Sequence, residues 1–228
     1  MSSQRAYARL AGLMYLLVLA FDITGLIIGA FVAGDGDFAA QAHRIVASET
    51  LYRFSLMLGL AGALSTVLLA VGLYVTVKPL DPNLATIGLV FRALEAAIGA
   101  VAIVGSFSAL ELYRAGMGQS PFNAAQLGAL QQLAESGAGT SVAAVFFCVG
   151  STVFFYLLSR SAYIPRLLSL WGLYSSLLYL VYWAFGLVVP DYPGAITIAA
   201  SLPILVAEVS TGLWLLTRGI KTPATADY

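Results

Sequence analysis

The sequence predicts an all-α integral membrane protein, a bundle of six transmembrane helices that forms a single domain over residues 1–228. Hydrophobic residues make up 60% of the chain and charged residues only 10%. A soluble domain carries about 25% charged residues, so too little polar surface remains here to cover a water-facing globule. Six apolar segments along the chain are each long enough to cross a bilayer.

Each apolar segment contains roughly 20 residues or more, the length that a helix needs to cross the hydrocarbon core. Backbone groups in lipid have no water to bond, so every span is expected to be a helix. The predicted spans cover about residues 9–33, 51–77, 84–110, 139–159, 166–189 and 195–217.

The distribution of basic residues indicates the orientation of the chain. The loops on the side of the two termini carry Arg5, Arg9, Lys78, Arg160, Arg166, Arg218 and Lys221. The opposite loops carry only Arg44, Arg53 and Arg114, accompanied by an excess of acidic residues. The positive-inside rule therefore predicts an inner-membrane protein whose N- and C-termini are both cytoplasmic.

Two longer segments connect spans on the outer side. The first, residues 34–50, is polar and is interpreted as a loop, with Glu49 and Arg53 spaced to pair on one helix face. In the second, Asn123 followed by Gln126 resembles a capping box. Apolar residues then recur at near-helical spacing: Phe122, Leu127, Leu130 and Leu133. We expect a short amphipathic outer helix between the third and fourth spans.

Four charged residues lie deep in the predicted spans: Asp22, Arg92, Glu95 and Glu208. At about 1.5 Å of rise per residue they lie roughly 12–20 Å from the cytoplasmic ends. A charge at this depth costs about 2.5–3.5 kcal/mol on insertion scales, so such side chains face the bundle interior and find partners. Small and hydroxyl residues share their helix faces, which favours close approach of the first, third and sixth spans around a polar centre.

The polar centre admits two interpretations. Three carboxylates face one guanidinium, and Arg92 can fork to one carboxylate and contact a second but cannot neutralise all three. At least one carboxylate should then be protonated or hold a cation, which is typical of a site for a proton or a ligand. Alternatively, the charges form a structural clasp that fixes helix register.

The composition also limits cofactors and partners. The chain has one histidine, His43, and one cysteine, Cys148, too few for a typical zinc site or for paired haem ligands. No metal and no cofactor is therefore assigned, although carboxylates alone could hold a metal. The net charge is zero, which argues against a nucleic-acid partner. The expected partners are the lipid bilayer and a small-molecule or lipid ligand.

Several stretches carry a family resemblance: "ARLAGLMYL", "ETLYRFSLMLGL" with "LYVTVKPL", "FRALEAAIGA", "FYLLSRSAYIPRLLSLWGLYSSLLYL" and "PILVAEVSTGLWLLTRGIK". In order and spacing they resemble an uncharacterised bacterial multi-pass membrane family, domain of unknown function 4386, over nearly the whole chain. The resemblance implies that Arg92, Glu95 and Glu208 stand at typical family positions, and it supplies no substrate and no catalytic residue. A histidine common in the family is absent near Thr140, so a metal or redox role that rests on it does not carry over.

Three functions stay open from the sequence. The protein could bind or transport a small solute or a proton at the polar centre. It could be a non-catalytic membrane scaffold or accessory subunit, with the charges as a clasp. It could be an intramembrane enzyme that acts on a lipid with a carboxylate as acid or base. The lack of a catalytic motif favours a role other than catalysis.

Overall fold

The computed structural model describes residues 2–118, 120–135, 138–189 and 194–221, and within these ranges the chain is helical with no strand. The helices are α1 (Ser2–Ala33), α2 (Phe38–Ala47), α3 (Glu49–Val77), α4 (Pro82–Met117), α5 (Ala124–Ala134), α6 (Ala138–Ser159), α7 (Arg166–Val188) and α8 (Gly194–Thr217). Six of them are long and apolar enough to cross a membrane: α1, α3, α4, α6, α7 and α8. The predicted all-α, six-span fold class is confirmed.

Two spans extend further than hydropathy predicted. Helix α1 begins at Ser2, because Gln4, Arg5 and the alanines before the apolar run are good helix formers. Helix α4 ends at Met117, seven residues beyond the predicted end, for the same reason. The start of α4 agrees with its sequence: Asp81 Oδ1 accepts hydrogen bonds from the backbone N–H groups of Asn83 and Leu84, both at 3.0 Å.

The described chain forms two compact units. Unit 1 contains the described residues of 1–17, 65–96 and 141–228, and unit 2 contains those of 18–64 and 97–140. Four of the described helices contribute residues to both units, namely α1, α3, α4 and, by its first turn, α6. Each unit has its own buried apolar cluster, centred on Phe154 and Phe155 in unit 1 and on Ile45 and Leu110 in unit 2.

Glycines bring the helices of unit 1 into backbone contact. A Cβ atom on Gly12 of α1 would lie 2.4 Å from the backbone nitrogen of Leu216 and 2.7 Å from the carbonyl oxygen of Gly212, both in α8. Gly72 of α3 approaches α1 similarly, with the carbonyl oxygen of Tyr7 at 3.0 Å. In lipid the hydrophobic effect does not drive helices together, so close van der Waals contacts of this kind stabilise their association.

Helix α2 corrects the interpretation of residues 34–50 as a polar loop. Asp37 caps its first turn by accepting a hydrogen bond from the backbone N–H of Ala40 at 2.9 Å. Ala42 and Ile45 are buried against unit 2. The apolar positions Phe38, Ala42 and Ile45 do follow helical spacing, but over only ten residues, so the polar residues between them hid the pattern.

Arg44 of α2 holds the end of α1. Its Nε donates to the carbonyl oxygen of Ala33 at 2.7 Å, and its Nη2 donates to that of Asp35. Gly34 has a φ of +56°, a left-handed conformation that favours glycine after a helix end. The guanidinium thus satisfies a carbonyl group that α1 leaves without an intrahelical partner.

Helix α5 begins with the predicted capping box. The Asn123 side chain accepts from the N–H of Gln126 at 2.9 Å, and the Gln126 side chain accepts from the N–H of Asn123 at 3.0 Å. Leu127 is buried, whereas Leu130 and Leu133 are exposed. The location of α5 on the outer face of the membrane stays a prediction.

Replacing Asn123 with alanine should destabilise the first turn of α5 by about 1 kcal/mol, since the orphan N–H of Gln126 loses its acceptor. Amide hydrogen exchange should show roughly fivefold faster exchange in this turn alone. The exposed Gln132 provides a matched control, because Gln132→Ala leaves the cap in place. Equal exchange in both variants would contradict a stabilising cap.

Candidate functional site

Arg92 of α4 is the most deeply buried charge in unit 1, with only 2% of its side chain exposed. Its Nη1 lies 3.0 Å from Glu95 Oε2, one helical turn away, and donates to Ser151 Oγ at 3.3 Å. The guanidinium carbon lies 4.7 Å from the centroid of the Phe147 ring. Arg92, Glu95, Phe147 and Ser151 form what we name the Arg92 cluster.

Close packing of α6 makes the Arg92 cluster possible. A Cβ on Gly150 would lie 2.8 Å from Arg92 Cγ, so only glycine leaves room there for the arginine stem. Ser151 and Phe147 then meet the guanidinium from the same helix. A cation that faces an aromatic ring away from water gains about 2 kcal/mol, so the cluster replaces much of the hydration that Arg92 gives up.

Glu208 of α8 and Tyr15 of α1 belong to the surroundings of the Arg92 cluster. Glu208 is 8% exposed and Tyr15 is 2% exposed. Both interact electrostatically with Arg92. Unit 1 therefore brings Arg92, Glu95 and Glu208 together, with side chains from the first, third and sixth spans in the same polar environment.

Asp22 belongs to unit 2, whereas the other three predicted site residues belong to unit 1. Its carboxylate lies against Gly62 of α3, where a Cβ atom would come within 2.0 Å of Asp22 Oδ1. Asp22 is exposed and has no hydrogen-bond or ion-pair partner among the residues that the structure describes. Its membership of one polar centre with Arg92 stays a prediction.

A groove in unit 2 begins at Asp22. It has a volume of about 580 Å³ and is lined by α1, α2, α3, α4 and α5. Gly25, Gly29 and Gly59 line it, and a Cβ on Gly59 would meet only the Ile103 side chain, at 3.5 Å, so the absence of a side chain there leaves open space. From Asp22 to Ala33 it follows α1 for roughly 16 Å at the helical rise of about 1.5 Å per residue. We name this feature the Asp22 groove.

The other end of the Asp22 groove is polar and hydrogen-bonded. The hydroxyl group of Tyr52 donates to Glu135 Oε1 at 3.3 Å, and Gln131 Nε2 donates to the second oxygen of the same carboxylate. The hydroxyl group of Tyr113 donates to Gln41 Oε1 at 3.4 Å. Among the described residues that line the groove, two are acidic and none is basic.

Unit 2 also contains a cluster of ion pairs, which lies outside the groove. Glu49 accepts from Arg53 at 2.6 Å, as its spacing predicted, and it also pairs with Arg114 of α4 at 2.5 Å. Arg114 Nη1 binds Glu111 at 2.9 Å. These side chains are partly exposed, so the cluster joins the ends of α3 and α4 as a surface network.

The partners of the predicted charges could not be recognised in the sequence. Ser151, Phe147 and Gly150 carry no unusual signal in an apolar span, and Gly62 is one of 22 glycines. Only the packing of α6 on α4, and of α3 on α1, selects them. Among the described residues, no group of three or more His, Cys, Asp and Glu side chains is placed to hold a metal ion.

The six long apolar helices define a multi-pass helical membrane protein. The chain belongs to the family described as Domain of unknown function (DUF4386), whose sequence model matches residues 10–219. The match includes Asp22, Arg92, Glu95 and Glu208. No curated protein matches the chain. No solved structure matches it either.

Proposed function

We propose that this protein binds a small solute within the membrane, in the Asp22 groove, and that the groove is part of one functional domain spanning the chain. The observation that carries the proposal is a cavity of about 580 Å³ with a carboxylate at one end and glycines along its wall. Cavities of about 300–1,000 Å³ with a few placed polar groups are typical of small-molecule sites.

The proposed role for Asp22 follows from the cost of its charge. A carboxylate in a transmembrane helix is costly unless it finds a partner, and such residues commonly mark substrate or proton pathways. Asp22 has no partner among the described residues of unit 2. A solute or a proton is therefore the group that would compensate its charge, and exchange of the two would couple solute binding to proton release.

The Arg92 cluster supports a second candidate role, the structural clasp of a membrane scaffold. Arg92 contacts a carboxylate, a hydroxyl group and an aromatic ring, which leaves little of its charge for a ligand. In this proposal unit 1 holds the helices and unit 2 binds the solute. Enzymatic action on a lipid stays a hypothesis that no contact among the described residues favours.

The proposed location is the inner membrane with both termini in the cytoplasm. The excess of arginine and lysine on the side of the termini supports this orientation.

Filling the groove should abolish solute binding. Gly59 lines the groove, and a Cβ there would make only ordinary contact with Ile103 at 3.5 Å, so Gly59→Leu places its side chain in the cavity. We expect at least one of 4-phenylbutyltrimethylammonium, 4-phenylbutanol and 4-phenylbutanesulfonate to raise the melting temperature of the wild-type protein in neutral maltoside micelles, and none to raise that of Gly59→Leu.

Gly99→Leu is the matched control. Gly99 lies in unit 2 on a helix, does not line the groove, and has no atom within 4 Å of its would-be Cβ. This variant should respond to the solutes as the wild-type protein does. The proposed function is contradicted if no solute stabilises the wild-type protein, or if Gly59→Leu retains the full response.

A further inference from the structure

The charge of the Asp22 groove selects the class of solute. Its described lining contains the carboxylates of Asp22 and Glu135 and no arginine, lysine or histidine. An anion would meet two like charges there with no cation to offset them. A neutral solute would leave compensation of the Asp22 charge to a proton and would gain no attraction from the carboxylate.

The two carboxylates of the groove differ in whether they already accept hydrogen bonds from the protein. Glu135 already accepts hydrogen bonds from Tyr52 and Gln131. Asp22 has no such partner among the described residues, and Gly62 leaves its carboxylate room beside α3. A cationic group therefore has its strongest attraction at Asp22.

The wall between the two carboxylates is mostly apolar, and the hydroxyl group of Ser55 in it already donates to the carbonyl oxygen of Tyr52. Gly25, Gly29 and Leu56 line it, and Tyr52 lies roughly 15 Å beyond Gly62 at the helical rise of α3. A hydrated metal ion would gain nothing from this wall. An organic body of about that length would bury its apolar surface along it, at about 25 cal/mol per Å².

We propose that the Asp22 groove binds a water-soluble organic ammonium ion, with the ammonium group at Asp22 and the apolar body along the glycine wall. This inference rests on the proposed function, since it names the class of solute for the same site. Tyr52 and Tyr113 line the far end, where an aromatic tail would meet aromatic side chains.

The test compares three solutes that differ only in their end group. Binding of 4-phenylbutyltrimethylammonium, 4-phenylbutanol and 4-phenylbutanesulfonate is measured by calorimetry on the full chain in neutral maltoside micelles. We expect the ammonium compound to bind at least about tenfold more tightly than the other two, a difference of about 1.4 kcal/mol.

Two variants test the role assigned to Asp22. Asp22→Asn keeps the shape and removes the charge, and should weaken ammonium binding about tenfold while leaving binding of the alcohol nearly unchanged. Gly62→Ala displaces the carboxylate, because the new Cβ would lie 2.0 Å from Asp22 Oδ1 while no other atom comes closer than 2.9 Å. Gly62→Ala should also weaken ammonium binding and leave alcohol binding nearly unchanged. If one variant folds poorly, the other still tests the role of Asp22.

The outcomes separate this inference from the proposed function. Equal binding of all three solutes, lost in Gly59→Leu, would overturn the ammonium assignment and leave solute binding intact. Unchanged ammonium binding in both Asp22→Asn and Gly62→Ala would also overturn it. Displacement of the probe by phosphatidylethanolamine, with the same dependence on Asp22, would assign the site to a lipid headgroup instead. If no solute binds, both proposals fail.

Discussion

Replacing Arg92 with methionine is expected to lower the free energy of unfolding by about 3–5 kcal/mol. The methionine fills most of the space beside Gly150, but it leaves Glu95 without the guanidinium that lies 3.0 Å from its carboxylate. Removing one partner of a buried pair strands the other charge, which costs more than the pair itself contributes. Denaturant unfolding in mixed micelles measures the change, and all three tryptophans lie in unit 1 to report it.

Two further variants distinguish the stabilising effect of the Arg92–Glu95 pair from a general effect of losing an arginine. Arg114 is 42% exposed in its ion pair with Glu49, so Arg114→Met should cost no more than about 1 kcal/mol. The double variant Arg92→Met with Glu95→Gln should recover part of the loss, because the stranded charge is gone. A cost at Arg92 as small as that at Arg114 would contradict the structural clasp.

Replacing Gly12 with alanine is expected to destabilise the protein by about 1–3 kcal/mol or more, although alanine is the better helix former. The new Cβ would lie 2.4 Å from the backbone nitrogen of Leu216 and 2.9 Å from the backbone carbon of Leu215. Backbone atoms cannot turn aside as a side chain does, so α1 and α8 would have to separate within unit 1. The melting temperature in maltoside micelles should fall by several degrees.

Gly99→Ala is the control for the glycine at position 12. No atom lies within 4 Å of a Cβ built on Gly99, so this change should be neutral or stabilising by up to about 1 kcal/mol. Both variants gain the same helix propensity, and the difference between them isolates the contact with α8. Equal melting temperatures would contradict a close α1–α8 contact.

The hydropathy of the chain was sufficient to predict the spans, because each long apolar run in lipid can form only a helix. Helix α2 was missed since it has ten residues and only Ala42 and Ile45 are buried. Helix α5, of similar length, was predicted because Asn123 and Gln126 form a recognisable start signal. The prediction of a short helix therefore depends on its capping residues, because the helix has too few turns to show a clear hydrophobic periodicity.

The candidate site could be predicted only in part. The pair of Arg92 and Glu95 was readable because both residues lie three apart on one helix. The partners from α6 were not readable, because serine, glycine and phenylalanine are ordinary in a membrane span. The groove beside Asp22 could not be predicted, because its volume depends on how α1, α3 and α4 pack and not on any one residue type. The small residues beside Asp22 were expected only to favour close helix approach, whereas Gly29 and Gly59 line the groove.

The contact between Asp22 and Gly62 has a consequence for the biogenesis of the protein. Gly62 follows Asp22 by about 40 residues, which a ribosome adds in roughly 2–8 s at about 5–20 residues per second. Until then Asp22 lacks this neighbour, and the insertion cost of its charge, about 2.5–3.5 kcal/mol, has to be offset by the apolar residues of α1 alone. The first span is therefore expected to enter the bilayer on the strength of its own apolar residues, before Gly62 of the second span can lie beside Asp22.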